Sequence, residues 1–287
     1  MVAALAFYDL GLAPWWRTQC VYHALAELGR TALVVCRPRE PYVCLGVHDD
    51  LEQEVDREFC GAAGLPLLRR ETGGGVVYLD DHQVFYQLVL RRDDPLLPGR
   101  RTRFFQRFLR PAVAVYERLG VPARIRPPAD LEAGGRKCSG NAAGDIGAGA
   151  AFVGNVMLDF DRVTMSRVLR LPDDAFRRTY LEAMERHLTA MAEWRADPVD
   201  PATVAGLLAA EFEREFGVDL GALDHRDPDS ALLAAAEEAR GRLTSPEWLA
   251  APGRRSARRR VKVAEGVYVG EGGEMERDET RREEMTA

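Results

Sequence analysis

Cysteine and histidine are too few and too scattered to suggest a metal site or a disulfide framework. The sequence has five of each in 287 residues. The cysteines form no C-x-x-C pair, and no two histidines have the helical spacing that a zinc site uses. Four of the cysteines lie in apolar segments, which is typical of reduced thiols in a protein core. We therefore expect no metal ion held by the protein.

Long apolar runs and an excess of positive charge are also missing. No uninterrupted apolar stretch has the length that crosses a bilayer, and the N-terminus lacks the basic start and apolar run of a signal peptide. The formal net charge is −6, whereas a protein that grips phosphate backbones needs a broad cationic surface. We expect a cytoplasmic protein that binds neither a membrane nor a nucleic acid.

What is present is a globular composition, 46% hydrophobic and 29% charged, in which strands precede a run of helices. That order predicts an α+β fold. Two apolar runs separated by a proline-containing turn, residues 32–36 and 42–47, are expected to form a strand pair, and residues 127–149 a glycine-rich loop. The predicted helices cover residues 15–29, 51–63, 102–120, 163–169, 173–194, 201–216 and 229–243, and the other predicted strands cover residues 65–70, 76–78, 84–90, 123–126 and 150–158.

The end of the chain differs in composition from the rest. We expect a catalytic domain over residues 1–250, a basic linker with a possible short hairpin over residues 251–270, and a charged, disordered tail over residues 271–287. The basic run at 254–262 is expected to be a solvated linker, with docking of an acidic carrier domain or of nucleic acid as the alternative.

The strongest local pattern is RETGGGVVY at residues 70–78. Consecutive glycines let the backbone approach a ligand and turn its N–H groups toward an anion, and Arg70 can add a charge-assisted hydrogen bond. A glycine-rich hairpin turn explains the same composition equally well. The pattern is neither the G-x-G-x-x-G of a dinucleotide-binding helix nor a P-loop, and it leads into a strand. A nucleotide bound here needs another binding mode.

The second pattern is GGRKCSGNA at residues 134–142. Its lysine, Lys137, is one of only two in the chain, the other being Lys262. Placed in a loop, an ammonium suits the oxygens of a carboxylate and a phosphate. A solvated surface lysine is the ordinary alternative.

Residues 70–78 resemble the R-x-[ST]-G-G-G-[AV]-V-[FY] motif of the lipoate–protein ligase family, within the biotin and lipoate ligase superfamily. Residues 136–142 resemble that family's R-K-[IV]-[SA]-G-[SN]-A motif, and the two motifs occur in the family's order. Weaker similarity extends over residues 5–250. The resemblance implies a biotin ligase-like fold, related to class II aminoacyl-tRNA synthetases: a mixed, largely antiparallel β-sheet packed by helices, with a helical C-terminal portion.

The resemblance also implies that lipoate is activated by ATP with Mg²⁺ and then attached to a carrier-protein lysine. Lys137 is the implied catalytic residue, and Mg²⁺ is implied to be held largely by phosphate oxygens. The implied substrate- and adenylate-binding residues are Arg70, Gly73, Gly74, Gly75, Val76, Val77, Tyr78, Asp130, Ser139, Gly140 and Gly154. The implied partner is a lipoyl-carrier protein, either a lipoyl domain or a protein like the H protein of glycine cleavage.

Several positions depart from the family pattern, and other activities stay open. Leu79, Gln83, Ala129, Val153 and Asn155 stand where the family commonly has His, Asn, Asn, His and Thr or Ser. The main alternative is an octanoyltransferase that carries the acyl group on a cysteine. Only Cys138 lies near the lysine motif, and we expect it to pack, since the ligases have Val or Ile there. A biotin ligase is disfavoured because its R-G-R-x-G turn is absent, and a non-catalytic lipoyl-binding protein is a further alternative.

Two structural expectations complete the sequence-based picture. The apolar segments 65–68, 76–78 and 152–158 are predicted to line a slot for the acyl chain. Many ligases of this family need an accessory domain or subunit, and residues 261–269 are too few to form that domain. We therefore expect either a separate accessory subunit or a minimal accessory hairpin.

Overall fold

The computed structural model describes residues 4–97, 101–255, 260–270 and 275–277. The strands are β1 (Leu5–Ala13), β2 (Ala32–Pro38), β3 (Tyr42–Leu45), β4 (Leu67–Arg69), β5 (Val77–Leu79), β6 (Gln83–Arg91), β7 (Ala123–Arg126), β8 (Asp130–Ala133), β9 (Arg136–Ser139), β10 (Asn141–Ile146), β11 (Gly149–Met157), β12 (Leu223–His225), β13 (Val261–Ala264), β14 (Val267–Val269) and β15 (Met275–Arg277). The helices are α1 (Arg17–Glu27), α2 (Leu51–Glu54), α3 (Arg57–Ala62), α4 (Arg101–Phe108), α5 (Arg110–Arg118), α6 (Arg162–Val168), α7 (Asp174–His187), α8 (Pro201–Leu220), α9 (Ser230–Leu243) and α10 (Pro246–Leu249), with a 3₁₀ turn at Met191–Glu193.

A six-stranded mixed sheet in the order β10-β11-β6-β2-β1-β12 forms the centre of the fold. Strand β1 runs parallel to β2 and β12, whereas β2, β6, β11 and β10 pair antiparallel in succession. The described residues also form three smaller sheets, β4-β3-β5, β7-β8-β9 and β13-β14-β15. The predicted α+β class with a largely antiparallel sheet packed by helices is confirmed. Within the described residues, no helix is both long enough and apolar enough to cross a bilayer.

The central strands are apolar at almost every position because the sheet is covered on both faces. Leu33 and Val35 of β2 pack in one cluster with residues of α5 and α8, and Val34 and Cys36 pack in a second cluster with residues of α1 and α9. Successive side chains of a strand point to opposite faces, so a strand buried on both faces reads as a continuous apolar run.

The predicted pairing of residues 32–36 with residues 42–47 is wrong, although both runs are strands. Strand β2 lies between β1 and β6 in the central sheet, and β3 lies between β4 and β5 in a small sheet. Each run is buried and finds two neighbours from distant parts of the chain. A short connection between two strands therefore did not make them partners.

Residues 127–149 are not the loop that their glycine content predicted. They contain β8, β9 and β10, joined by short turns. Gly134, Gly135 and Gly147 have positive φ angles of 57°, 79° and 50°, a backbone conformation that glycine adopts without strain. These glycines form the corners between successive strands.

The predicted linker after residue 250 is bound to the rest of the fold. The guanidinium of Arg69, which is 1% exposed, donates to the carbonyl of Ala251 over 2.7 Å, and Arg255 donates to the carboxylate of Asp50 over 2.6 Å. The predicted hairpin is confirmed as β13 and β14. Strand β15 then pairs with β14, so the prediction of a disordered tail is wrong for residues 275–277. Residues 271–274 and 278–287 lie outside the described residues.

Replacing Gly253 by alanine tests this packing. An added Cβ falls 2.2 Å from the Asp49 carbonyl oxygen and 2.5 Å from the Asp50 nitrogen. Because backbone atoms cannot easily move away from it, we expect the free energy of unfolding to fall by about 1–3 kcal/mol. The matched control is Gly206→Ala in α8, where nothing lies within 4 Å and a gain of roughly 0.5–1 kcal/mol is expected. Urea denaturation measures both. Equal effects of the two substitutions would contradict the packing.

Candidate active site

Lys137 and Asp130 form an ion pair on the β8–β9 hairpin. Lys137 Nζ lies 2.8 Å from Asp130 Oδ1. Asp130 is only 4% exposed, whereas the lysine side chain is 20% exposed. The pair thus presents an ammonium near the surface, supported by a covered carboxylate.

Asp130 stays ionised although it is buried. Burial works to raise the pKa of its carboxyl group, but the Lys137 ammonium and the N–H of Glu265, which donates to Oδ2 over 2.9 Å, hold that pKa below its usual value. Both carboxylate oxygens therefore have a donor at neutral pH. Removing one partner of such a pair leaves the other as an uncompensated buried charge, which is strongly unfavourable.

The backbone of β9 is fixed on both sides of the lysine. The N–H of Thr189 donates to the carbonyl of Lys137 over 2.8 Å. The hydroxyl of Tyr116 donates to the carbonyl of Cys138 and accepts the N–H of Met157 over 2.9 Å. Lys137 therefore extends from a braced strand, and the expectation that it lies in an adaptable loop is wrong.

All five cysteines are buried, at 0–2% exposure. Burial raises the pKa of the Cys60 thiol to about 11 and that of Cys138 to about 12, and it also raises the pKa of Cys20, Cys36 and Cys44. Cys138, next to the lysine, packs in the core cluster of α5 and α8, as the sequence predicted. At neutral pH these side chains are covered, protonated thiols.

A chain of buried hydrogen bonds connects the lysine strand to the strand after the three glycines. The side chain of Asn155 accepts the N–H of Gly140 over 2.7 Å and donates to Gln83 over 2.7 Å. The hydroxyl of Ser139 donates to the Asn155 carbonyl over 2.6 Å. Gln83 in turn donates to the carbonyl of Tyr78 over 3.3 Å. The predicted site residues Ser139, Gly140 and Tyr78 are thus coupled through two side chains.

Gly154 leaves room for a hydrogen bond that crosses the site. The hydroxyl of Tyr86 donates to Asn141 Oδ1 over 2.6 Å. A Cβ on Gly154 would fall 2.2 Å from that oxygen and 2.4 Å from the Tyr86 hydroxyl. Only glycine, which has no Cβ, allows the Tyr86 hydroxyl and the Asn141 side chain to approach the backbone this closely.

Arg70 stabilises the glycine loop, residues 73–75, from within the protein. Its Nη2 donates to the carbonyls of Gly73 and Gly75 over 2.8 and 3.0 Å, its Nε also donates to Gly73, and its Nη1 donates to the Cys44 carbonyl over 3.1 Å. Every nitrogen of the guanidinium is therefore engaged, and the side chain is 6% exposed. The predicted role of Arg70 was a charge-assisted hydrogen bond to a bound anion. The structure differs, because the donors of Arg70 point at backbone carbonyls.

The glycine loop and the lysine motif meet at β10. The N–H of Gly73 donates to the carbonyl of Ala143 over 3.3 Å, and Ala143 follows the lysine motif along the chain. On the other side, the backbone of Gly46 packs closely against the loop, since a Cβ on Gly46 would lie 2.0 Å from the Gly74 carbonyl oxygen. Gly74 and Gly75 themselves are exposed. The structure therefore brings the two predicted motifs together, with the glycine backbone facing outward.

A buried histidine supports the same loop from behind. His23 is fully buried; its Nε2 accepts the N–H of Glu71 over 3.1 Å, and its Nδ1 lies 2.8 Å from the carbonyl of Gln19. Because Nε2 must accept, the proton lies on Nδ1. Burial and the nearby Arg242 and Arg70 lower the pKa of His23 to about 3. The imidazole is therefore neutral at physiological pH.

The predicted acyl slot lined by three apolar segments stays a prediction. Leu68 belongs to the cluster of α1 and α9, and Val77 and Val153 pack against it, so the three segments meet there. Phe152 and Val156 pack instead in the cluster of α5 and α8, and Val76 and Tyr78 in a third cluster with α6 and α7. Strand alternation distributes these other side chains over separate cores.

One cluster of three potential metal ligands is present in the part of the chain that the structure describes. It comprises Asp80, Asp81 and His82, whose ligand atoms lie within 4.8 Å of one another. Asp80 already accepts the His82 N–H over 3.1 Å, and exposed acidic groups are common without an ion. The expectation that the protein holds no metal of its own stays a prediction.

Sequence reasoning did not identify the residues that connect the site. Gln83 and Asn155 stood out only as departures from a motif, and Tyr86, His23 and Glu265 did not stand out at all. The available signal was a polar residue inside an otherwise apolar strand, as at Gln83 and Asn155. Such a residue is buried only when it is hydrogen-bonded.

Comparisons with known proteins identify a family and a fold for this chain. The chain matches the family model described as the lipoyl protein ligase A/B catalytic domain over residues 14–213. Octanoyltransferase LipM of Moorella thermoacetica is 26% identical over 228 residues, 73% of this chain and 82% of that protein. Lipoate-protein ligase A subunit 1 of Thermoplasma acidophilum is 32% identical over 188 residues, 62% of this chain and 69% of that protein. The solved bipartite lipoate protein ligase of T. acidophilum has the same fold, with a TM-score of 0.73 at 20% identity over 90% of this chain and 100% of that one.

The Gln83–Asn155 contact can be tested by a double-mutant cycle. Gln83→Leu and Asn155→Leu each leave a buried polar partner unsatisfied, so each single substitution should lower the free energy of unfolding by about 1–3 kcal/mol. The double variant should lose less than the sum, with a coupling of roughly 0.5–3 kcal/mol. Urea denaturation of the four proteins measures this. Additive losses would show that the two side chains do not interact.

His23 makes stability depend on pH. Its pKa in the folded protein is lowered to about 3, so the unfolded chain binds more protons below pH 6.5, and the stabilisation present above that value is lost as the pH falls toward 3. Between pH 6.5 and pH 5 the loss should approach about 2 kcal/mol. His23→Gln should flatten this slope, whereas His82→Gln, at a side chain 59% exposed, should retain it. Urea denaturation at pH 7, 6 and 5 measures the free energy of unfolding of the three proteins. An equal dependence on pH in all three would contradict the assignment of this effect to His23.

Proposed function

The chain belongs to the lipoyl protein ligase A/B catalytic-domain family, and from that membership we propose that it is an ATP-dependent lipoate–protein ligase. A lipoate carboxylate oxygen attacks the α-phosphorus of ATP, pyrophosphate leaves, and lipoyl-adenylate forms. The ε-amine of a carrier lysine then attacks the acyl carbon, loses a proton to solvent, and displaces AMP. The AMP retains the former carboxylate oxygen.

Lys137 is the catalytic residue of this proposal. The first step draws the negative charge of the carboxylate toward that of the α-phosphate, and the second step returns negative charge to AMP. An ammonium already oriented by Asp130 stabilises both charge distributions without reorganising, an effect that is often worth about 3–4 kcal/mol in enzyme sites. Its 20% exposure leaves it accessible to a ligand.

The glycine loop is the proposed cradle of the adenylate. A Cβ at Gly75 would meet nothing within 4 Å, and one at Gly73 would meet only the Ala143 carbonyl oxygen, at 3.9 Å. This open backbone can approach a ligand closely, and Arg70 holds its shape from below. Val76, Val77, Tyr78, Ser139, Gly140 and Gly154 complete the proposed binding residues.

The burial of all five cysteines is the observation that carries the proposal. A transferase with a thioester intermediate needs an accessible thiolate. The thiols here are at most 2% exposed, and the pKa of Cys138, which lies beside Lys137, is raised to about 12. Activation by ATP needs no thiol, so it fits the side chains that this chain has.

The second candidate is an octanoyltransferase, which the name of the M. thermoacetica relative favours. It would take its acyl group from an existing thioester and would use neither ATP nor lipoate. The choice of acyl donor therefore separates the two candidates.

Mg²⁺ enters the proposal with ATP. Both oxygens of Asp130 already have donors, so the β8–β9 hairpin offers no free carboxylate ligand for Mg²⁺. This agrees with an ion that is held by phosphate oxygens. Bound there, the ion would neutralise phosphate charge. The chain's own contribution is the ammonium and the open glycine backbone.

The proposed macromolecular partner is a lipoyl-carrier protein, either a lipoyl domain or a glycine-cleavage H-like protein. The T. acidophilum structure describes a bipartite ligase with its E2 lipoyl domain. A separate accessory subunit for this chain is a further proposal. Complete adenylation by the purified chain would contradict a requirement for that subunit.

Lys137→Ala tests the proposed function. Lipoate-dependent release of pyrophosphate should fall by about 100-fold or more, because the oriented ammonium is lost, and Lys137→Arg should recover only part of the rate because a guanidinium has a different shape. Mass measurement of a carrier domain after incubation with lipoate and ATP follows the complete reaction.

Cys138→Ala is the matched control, since it changes the neighbouring residue and leaves the ammonium. It should retain ATP-dependent acyl transfer if the protein is a ligase. A gain in carrier mass from an octanoyl thioester without ATP, abolished by Cys138→Ala, would establish the transferase and overturn the proposal.

A further inference from the structure

The turn between β13 and β14 touches the carboxylate that holds Lys137. The N–H of Glu265 donates to Asp130 Oδ2 over 2.9 Å, and the carbonyl of Glu265 accepts from Arg126 Nη2 over 2.6 Å. Arg126 and Asp130 are cross-strand partners in the β7–β8 pairing. The backbone N–H and carbonyl of Glu265 are therefore both bound by a cross-strand pair of the β7-β8-β9 sheet, which also carries the lysine.

The hairpin is anchored by an apolar face. Val261, Val263, Ala264, Val267 and Val269 are all at most 7% exposed and belong to the same cluster as residues of α7. Burial of several such side chains outweighs the ordering of a short hairpin that would not be stable alone. The position of the turn is thus set by packing.

Helix α7 brings the same cluster to the lysine strand from a second direction. Leu188, which follows α7 and is 7% exposed, belongs to this cluster. Leu188 forms a parallel bridge with Lys137, and the next residue, Thr189, donates to the Lys137 carbonyl over 2.8 Å. The cluster that seats the hairpin therefore also supports the lysine backbone.

We propose that the β13–β14 hairpin is a built-in positioning element for the catalytic ammonium, acting through the backbone N–H of Glu265 on Asp130. The inference deepens the proposed function and rests on the role assigned there to Lys137. It makes Glu265 a positioning residue, and its backbone N–H is the group that acts.

The physical reason lies in the two oxygens of Asp130. A carboxylate held at one oxygen by a backbone donor has a fixed orientation, so its other oxygen offers the lysine a single direction. Without the N–H, Oδ2 becomes a buried acceptor with no donor, which is costly. Turning to find another donor would then carry the ammonium with it, and a displacement of about 1 Å in an active site can reduce the rate by two orders of magnitude.

Glu265→Pro removes this N–H together with the side-chain carboxylate that pairs with Lys262, and Glu265→Ala, which removes the carboxylate and keeps the N–H, is its control. Gly266 has a positive φ of 69°, and a proline followed by such a glycine suits a tight turn, so the hairpin should form. Gly266→Ala is a second variant, which keeps the N–H but strains the turn. Gly11→Ala is the matched control for strain, because Gly11 also has a positive φ, 52°, with nothing within 4 Å of an added Cβ.

Two measurements on the full-length chain test the inference. Lipoate-dependent exchange of pyrophosphate into ATP reports the first step without any carrier, and it should fall by about tenfold in Glu265→Pro, the fold-change expected for one charge-assisted hydrogen bond. Acetylation of amines followed by peptide mass analysis reports Lys137 directly, since Lys262 is the only other lysine. The modification rate of Lys137 should rise in Glu265→Pro, rise less in Gly266→Ala, and stay unchanged in Gly11→Ala.

The outcomes separate this inference from its premise. If folded Glu265→Pro exchanges pyrophosphate and is modified at Lys137 at the wild-type rates, the positioning role is overturned. An unchanged exchange rate combined with a weaker dependence of acyl transfer on carrier concentration would also overturn it, because that result indicates a docking surface for the carrier. If the wild-type chain catalyses no exchange, either the proposed function fails or the proposed accessory subunit is required, and the modification rates alone still decide whether the hairpin positions Lys137.

Discussion

One ammonium held by one buried carboxylate is the interaction on which the site depends. The pair is 2.8 Å apart, and its carboxylate is only 4% exposed, so it is poorly screened, and loss of either partner leaves a charge that the surroundings cannot solvate. Two adjacent strands and one distant hairpin meet this requirement. Strand β8 supplies the carboxylate, β9 the ammonium, and the C-terminal hairpin a second donor.

The central sheet explains why the two motifs meet. Strand β10 follows directly from the lysine hairpin and pairs with β11 at the edge of the large sheet, and the glycine loop donates to β10 at Ala143. Asn155 on β11 and Gln83 on β6 join the same region through side chains. Strands β6 and β11 are paired and are buried along most of their length. The groups around the lysine are therefore held on regular, packed elements, which catalysis by preorganised charge requires.

Local patterns predicted much of this fold, and long-range contacts account for what they missed. The periodicity of residues 15–29 predicted α1, and the spacing of valines predicted the β13–β14 hairpin, because both depend on nearby residues. The partners of β2 and β3 come from distant segments, so sequence adjacency misled. The glycines at 134 and 135 read as a loop, although they are the corner of a hairpin. Arg70 and Glu265 were beyond prediction, since one engages backbone carbonyls and the other acts through its own backbone N–H.

The most direct measurement of the central claim follows the oxygen of the acyl carboxylate. Lipoate labelled with ¹⁸O in its carboxylate is incubated with the protein, ATP and a carrier domain, and the AMP is analysed by mass spectrometry. A mixed anhydride formed beside Lys137 leaves one labelled oxygen in AMP, and the lipoyl group appears on the carrier. Acylated carrier with unlabelled AMP, or with no AMP formed at all, would contradict the account.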